Sequence, residues 1–272
     1  MSNQTDFLSG NILVIAPHMD DEILGCGGTV ALLPDRRRVF VAYATDGRRI
    51  PGMRDAPPSG PGGRDPAATR ADEAKSALAT LGIPVENARF LAFSADDLRR
   101  RRHDLVSAIK RLFDEIRPAS ILVPFRYDQH RDHIILNAVG REVRADSARD
   151  SVLLEYFVYY RFRLLPGGDI RRAIRPEFLH TVDISSVAEI KRKALNCFES
   201  QVTAFCPGQK KAVLSPELIE AFAMGPELFV RWPASASARE VFSVSSGWVR
   251  FVHAVEPFLK WNKDRLMMAL GT

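Results

Sequence analysis

Residues Ile12–Leu33 read ILVIAPHMDDEILGCGGTVALL. Two apolar segments enclose a polar knot, His18-Met19-Asp20-Asp21-Glu22. Asn11–Ala16 (NILVIA) is a short continuous apolar run, the pattern of a strand buried on both faces. Beyond the knot, Ile23, Val30 and Leu33 recur at helical spacing until Pro34 stops them. A buried strand that passes directly into a helix is the opening unit of a parallel α/β sheet. Ionisable groups at that junction are poor packing material and need a separate reason.

The alternation continues outward. Strands are predicted at Val39–Ala44, Arg89–Phe93 and Ser120–Pro124, and helices at Thr69–Leu81, Ala95–Ile116 and Asp132–Val143. This predicts a Rossmann-like, mostly parallel sheet with helices on both faces, whose ligands bind at the C-terminal ends of the strands. Two polar clusters fall there: the knot after the first strand, and YDQHRDH (Tyr127–His133) after the fourth. Further on, Ser151–Tyr160, Leu179–Ile184 and Glu227–Trp232 read as strands. Ser186–Glu199 reads as a helix opened by a Ser186/Glu189 capping box, and Ser215–Met224 as a helix with Pro216 in its first turn. The expected organisation is one α/β domain over 1–272, with a metal-binding core at 1–150 and a C-terminal part, 151–272, that contributes to specificity.

Composition narrows the class. With 46% hydrophobic and 26% charged residues the chain is ordinary globular material. A net charge of +5 suits an anionic substrate or surface but is too small an excess to imply nucleic acid. Three widely spaced cysteines without a CxxC argue against a disulfide framework or a cysteine zinc site. No signal peptide and no membrane-length apolar run is evident, so a reducing cytoplasm is the expected compartment. Residues 45–68 hold five Gly and five Pro, which excludes a regular element and suggests a loop covering the substrate. The state of assembly is open, a homo-oligomer included.

His18 and Asp21 are three apart at a strand-to-helix turn and share a face. His133, three beyond His130, opens the helix after the fourth strand, and loops after neighbouring strands converge. His18, Asp21 and His133 then form a two-histidine, one-carboxylate set, the protein share of a catalytic zinc site; Fe(II) is compatible with the same set. Asp20 is left free beside the ligands, placed to take a proton from metal-bound water. His130, as an imidazolium oriented by Asp132, is placed to donate to a developing oxyanion or to a leaving amine. Together these describe amide hydrolysis. Taken alone, an Asp-Asp-Glu run at a helix start also serves as dipole compensation, and a lone HxxH is as often structural. His103, His180 and His253 have no partner at metal spacing.

These residues resemble the LmbE-like/PIG-L family of zinc-dependent N-deacetylases. The family's Ala-His-Pro-Asp-Asp-Glu run stands here as Pro17-His18-Met19-Asp20-Asp21-Glu22, followed by ILGCGGT, and its His-x-Asp-His run as His130-Arg131-Asp132-His133. TDG (Thr45–Gly47), Arg70 with Glu73, and KRKALNCFESQ (Lys191–Gln201) also look like family positions. The resemblance covers roughly the first 200 residues. It implies an LmbE-like deacetylase fold and removal of acetyl from an N-acetylglucosamine-type amino sugar or glycoconjugate. It implies zinc on His18, Asp21 and His133, Asp20 as base, and His130 with Asp132 behind it as acid. Arg54 and Arg70 are expected to bind substrate. Met19 replaces the family's proline and Pro17 its alanine, neither a ligand position. Arg48 stands where the family often has an acid; with Arg49, Arg54 and Arg64 it suits an acidic or phosphorylated substrate as well as it suits a solvated loop. Two rival readings remain at this point. One is an amidase for another amide, such as a thiol-sugar conjugate, on the same metal centre. The other is a non-catalytic Rossmann-like module using the Gly25–Gly28 turn for a nucleotide phosphate.

Overall fold

A computed structural model describes residues 4–49, 64–147, 150–162, 164–165, 168–205, 209, 211–232, 238–245 and 247–256. The first half alternates β1 (Ile12–Ala16), α1 (Asp21–Ala31), β2 (Val39–Thr45), α2 (Pro66–Thr80), β3 (Ala88–Phe93), α3 (Arg102–Ile116), β4 (Ser120–Pro124), α4 (Arg131–Ser147) and β5 (Val152–Tyr156). It continues through β6 (Leu179–Val182), α5 (Ala188–Asn196), α6 (Glu199–Val202), α7 (Pro216–Met224), β7 (Glu227–Val230) and α8 (Ala238–Val241). The seven strands form one sheet in the order β3-β2-β1-β4-β5-β7-β6. The first five are parallel, and β7 runs antiparallel to both β5 and β6.

The strand order reverses between β1 and β4, which pair with Ile12 opposite Ser120 and Val14 opposite Leu122. At such a switch point the two following loops part to opposite faces and leave a crevice at the strand ends. β1 is buried along its whole length because both its faces are covered. Ile12, Val14 and Ala16 face a core shared with α1, α2, α5 and α7, whereas Leu13 and Ile15 face a second core with α3 and α4. Each fully buried side chain of this kind contributes about 1.5–3 kcal/mol. A third, aromatic-rich cluster joins Phe125, Phe157 and Phe162 to Val241, Phe242, Val249 and Val252.

Several boundaries differ from the sequence expectation. α2 starts at Pro66 rather than Thr69, because the Asp65 side chain accepts the Ala67 N–H and proline suits the first helical position. α3 starts at Arg102, not Ala95: Ser94 and Asp97 close a turn that carries Leu98 into the core and leaves Asp96 at the surface. The Ser186/Glu189 capping box does not form; a 3-10 turn spans Ser185–Val187, and Asp183 accepts the Ser185 N–H instead. The expected helix Ser186–Glu199 is two pieces, α5 and α6. The strand expected over Ser151–Tyr160 ends at Tyr156, and the one expected to reach Trp232 ends at Val230. Cys26 and Cys197 are free thiols, and Cys206 lies outside the described residues. Among the described residues no helix is long and apolar enough to cross a membrane.

Candidate active site

The loop leaving β1 is held by neighbours on every side. Thr45, the last residue of β2, gives both its N–H and its hydroxyl to the Pro17 carbonyl, at 3.0 and 2.9 Å. The Arg70 guanidinium donates to the Met19 carbonyl. Glu22 accepts the Asp20 N–H at 3.1 Å and the Tyr43 hydroxyl at 2.8 Å. These bonds hold Asp20 at φ 140°, a backbone conformation that costs a non-glycine residue of order 1–3 kcal/mol. Glu22 therefore does more than compensate a helix dipole: it ties the strained residue to the core. Burial pushes its carboxyl up to about 8, against the Tyr43 hydrogen bond.

The two sequence clusters meet at the β1/β4 crevice. One oxygen of Asp21, Oδ2, lies 3.1 Å from His18 Nδ1 and 3.2 Å from His133 Nε2. Two donors on a tetrahedral ion at roughly 2.0–2.1 Å stand about 3.3 Å apart, so these spacings suit neighbouring ligands as well as hydrogen bonds. His133 is fully buried, and neither ring nitrogen makes a well-aligned hydrogen bond, although carboxylates stand 3.2 Å from both. An orphaned buried imidazole between carboxylates fits a cation. His18, His130 and His133 also bring ring nitrogens within 4.8 Å of one another. Both candidate ligand sets share His18 and His133; they differ in whether Asp21 or His130 completes them.

The surrounding carboxylates divide the work differently from the sequence reading. Asp132 does not sit behind His130: its Oδ2 is 3.0 Å from His18 Nε2 and 3.8 Å from His130 Nδ1. The reason is local, since the Asp132 backbone N–H already donates to His130 Nδ1 at 3.3 Å. That bond leaves the proton of a neutral His130 on Nε2. Burial pushes His130 down to about 4, with His133 and His18 adding to the effect, which favours a neutral ring over the expected imidazolium. Burial also opposes charge on His18, but hydrogen bonds to Asp132 and Asp21 outweigh it and bring the ring to about 9. Burial would raise Asp21; His133 and His18 hold it well below the usual carboxylate range. Burial raises Asp20 to about 7, resisted mainly by Arg70, whose Nη2 is 3.5 Å from Asp20 Oδ2.

Sequence reasoning assigned no role to Asp128. It is buried, and it contacts three parts of the site: 2.8 Å from the His130 N–H, 3.0 Å from the Tyr159 N–H and 3.2 Å from His133 Nδ1. Its only sequence signal was an acid five residues before His133 in a cluster otherwise read for its histidines. Tyr159, just past β5, was missed as well; its ring stacks on His130 at 5.8 Å between centroids and 25° between planes. A cavity of about 420 Å³ opens over His18, Asp20, Arg70 and His130, with Thr45, Asp46, Asp96, Tyr159 and Gln201 in its walls.

Arg70 lies within that wall but is itself 6% exposed and committed to Met19 and Asp20. Arg54 lies outside the described residues, with most of the 45–68 loop. Of the described arginines near the rim, Arg48 pairs with Asp65 and Asp46 and Arg49 with Asp96, whereas Arg131 is exposed in the cavity wall without an ion pair among the described residues. The glycines of GCGG serve packing: a Cβ at Gly25 would come within 2.2 Å of the Tyr156 ring, and one at Gly28 within 2.7 Å of Ile184. That accounts for them without a phosphate-binding turn.

A family model described as "PIG-L: GlcNAc-PI de-N-acetylase" matches residues 13–144. The chain is 30% identical over 204 residues to a diacetylchitobiose deacetylase of Thermococcus kodakarensis, covering 70% of this chain and 69% of that protein. It is 31% identical over 143 residues to a probable N-acetyl-alpha-D-glucosaminyl L-malate deacetylase of Bacillus cereus, covering 49% of this chain and 59% of that one. Among solved structures, N,N'-diacetylchitobiose deacetylase from Pyrococcus horikoshii matches with a TM-score of 0.58 at 23% identity, over 85% of this chain and 86% of its own. The zinc-inhibited form of a teicoplanin deacetylase also matches with 0.58, at 16% identity, over 83% of this chain and 100% of its own. At these identities the two structures speak for the shared fold.

Proposed function

The chain belongs to the PIG-L family of de-N-acetylases and is a hydrolase, and we propose that it removes the acetyl group from an N-acetylglucosamine unit of a small oligosaccharide or glycoconjugate. The observation that carries this reading is the shared Asp21 oxygen, at ligand spacing from His18 and His133, with the neighbouring Asp20 lining the cavity. Both curated relatives act on N-acetylglucosamine derivatives by name, which supports the sugar class. Arg48 and Arg49 already face carboxylates, which leaves Arg131 as an exposed cation of the cavity wall for an anionic group on the substrate.

His18, Asp21 and His133 would hold the metal, with zinc preferred for two imidazoles and a carboxylate and Fe(II) compatible. When bound, such an ion polarises the acetamido carbonyl and lowers the pKa of water in its open position. Asp20 takes the proton from the attacking water; burial has already brought its affinity for a proton close to that needed near neutral pH. Arg70 holds the Met19–Asp20 peptide and keeps the Asp20 carboxylate in place. His130 offers an Nε2–H to the oxygen that gains negative charge, and Asp20 passes the proton it took from water to the departing amine. Asp132 and Asp128 orient His18 and His133 through their other ring nitrogens, the usual carboxylate–histidine support of a metal ligand.

The test is acetate release from N,N'-diacetylchitobiose and a panel of N-acetylglucosamine conjugates, with and without a chelator. Chelator-sensitive release is expected. No release from any N-acetylhexosamine by zinc-loaded protein would sink the proposal.

A further inference from the structure

Helix α1 carries Asp21 and Glu22 in its first turn, yet its middle is Gly25-Cys26-Gly27-Gly28, a weak helical sequence. Two buried side chains from the C-terminal part grip that middle. Lys191 Nζ, from α5, donates to the Leu24 carbonyl at 3.0 Å. The two oxygens of Glu227, the first residue of β7, accept the Gly28 and Thr29 N–H groups at 2.7 Å each. Lys191 and Glu227 join each other at 2.6 Å, and they are 0% and 4% exposed. Three backbone groups of α1 are thus held by one ion pair from outside the helix. The glycines make the grip possible, because Gly25 presses on Tyr156 and Gly28 on Ile184 more closely than any side chain allows.

A buried ion pair is a poor source of stability, since an apolar pair of equal volume often does as well; its better-attested use is to set register. Here register has a direct consequence. Asp21 Oδ2 must meet histidines from two other segments, His18 and His133, within 3.1 and 3.2 Å. A small slide of α1 along its axis opens both contacts and moves Asp20 with them. We propose that Lys191 and Glu227 are positioning residues that lock the register of α1 and so set the spacing of the metal centre. The inference rests on the metal-dependent reading above.

The test is the uncharged double variant Lys191→Met/Glu227→Gln, compared with wild type as full-length, zinc-loaded protein. Expected are a folded protein with a similar melting temperature, faster amide exchange in the middle of α1, and an altered visible spectrum of the cobalt-loaded form. Zinc affinity and kcat should each fall about tenfold, with KM within about twofold. Unchanged zinc affinity, cobalt spectrum and kcat in the folded double variant would overturn the proposal, whatever happens to its melting temperature. If the double variant does not fold, Glu227→Asp takes its place, keeping the charge pair but shortening its reach. The same changes, smaller, are then expected, and wild-type values again overturn the idea. Wild-type protein that takes up no zinc refutes the metal-dependent reading itself; wild-type and variant proteins that load equally well refute only the positioning role.

Discussion

The ends of β1 and β4 and the end of β2 border the same cavity but are built in opposite ways. After β1 and β4, the carboxylates Asp20, Asp21, Glu22, Asp128 and Asp132 are buried and the loop groups are tied down: Pro17 to Thr45, Met19 to Arg70, Asp20 to Glu22, and His130 and Tyr159 to Asp128, which also faces His133. After β2, the described residues meet through exposed side chains, Arg48 with Asp65 and Arg49 with Asp96. Buried networks are costly when one member is lost, whereas exposed ion pairs contribute about 0–1 kcal/mol. The first region is suited to holding reacting groups at fixed distances. The second tolerates exchange, which suits a surface that selects among substrates.

Substitutions can break this contrast. The largest effect is expected at His133→Ala, which should lose the metal and all measurable turnover; undiminished zinc content by elemental analysis would remove His133 from the ligand set. Asp20→Asn should keep the metal and lower kcat by about 10²–10⁴-fold, the usual contribution of a general base. Near-wild-type turnover there would end the assignment. Asp128→Asn should weaken zinc about 10–100-fold in a competition titration, since it removes the support behind His133. Glu22→Gln should lower kcat about tenfold with little change in KM, by loosening the peptide of Asp20. Arg49→Ala, across the contrast, should change kcat/KM by no more than about threefold on an uncharged chitobiose substrate, in keeping with an exposed ion pair. A loss there as large as that of Asp128→Asn would mean that the β2 end belongs to the rigid machinery after all.

The two candidate clusters were legible because each is short and local. His18, Asp20 and Asp21 fall within four positions, and so do His130 and His133, so chain spacing alone brings their side chains together. Placing both clusters after buried strands was also legible, since a strand covered on both faces reads as a continuous apolar run. The partnerships behind those clusters were not. Asp132 sits two residues from His130 in sequence, yet its carboxylate serves His18, 114 positions away. Glu22 looked like part of a helix start, but its partner is Tyr43 on the next strand. Nothing in the sequence marked Lys191 and Glu227 as a pair that meets against the backbone of α1.

What the sequence determined by itself was therefore the period-level plan: alternating buried strands and helices, the two polar junctions, and the residue types able to hold an ion and move a proton. These follow from local chemistry, because apolar periodicity and i, i+3 spacing are properties of a few consecutive residues. Only the tertiary structure decided that β1 and β4 are neighbours, which carboxylate supports which histidine, and what holds α1 in register. Those choices depend on packing between distant segments, where a buried polar group takes whichever partner the fold brings within hydrogen-bonding reach.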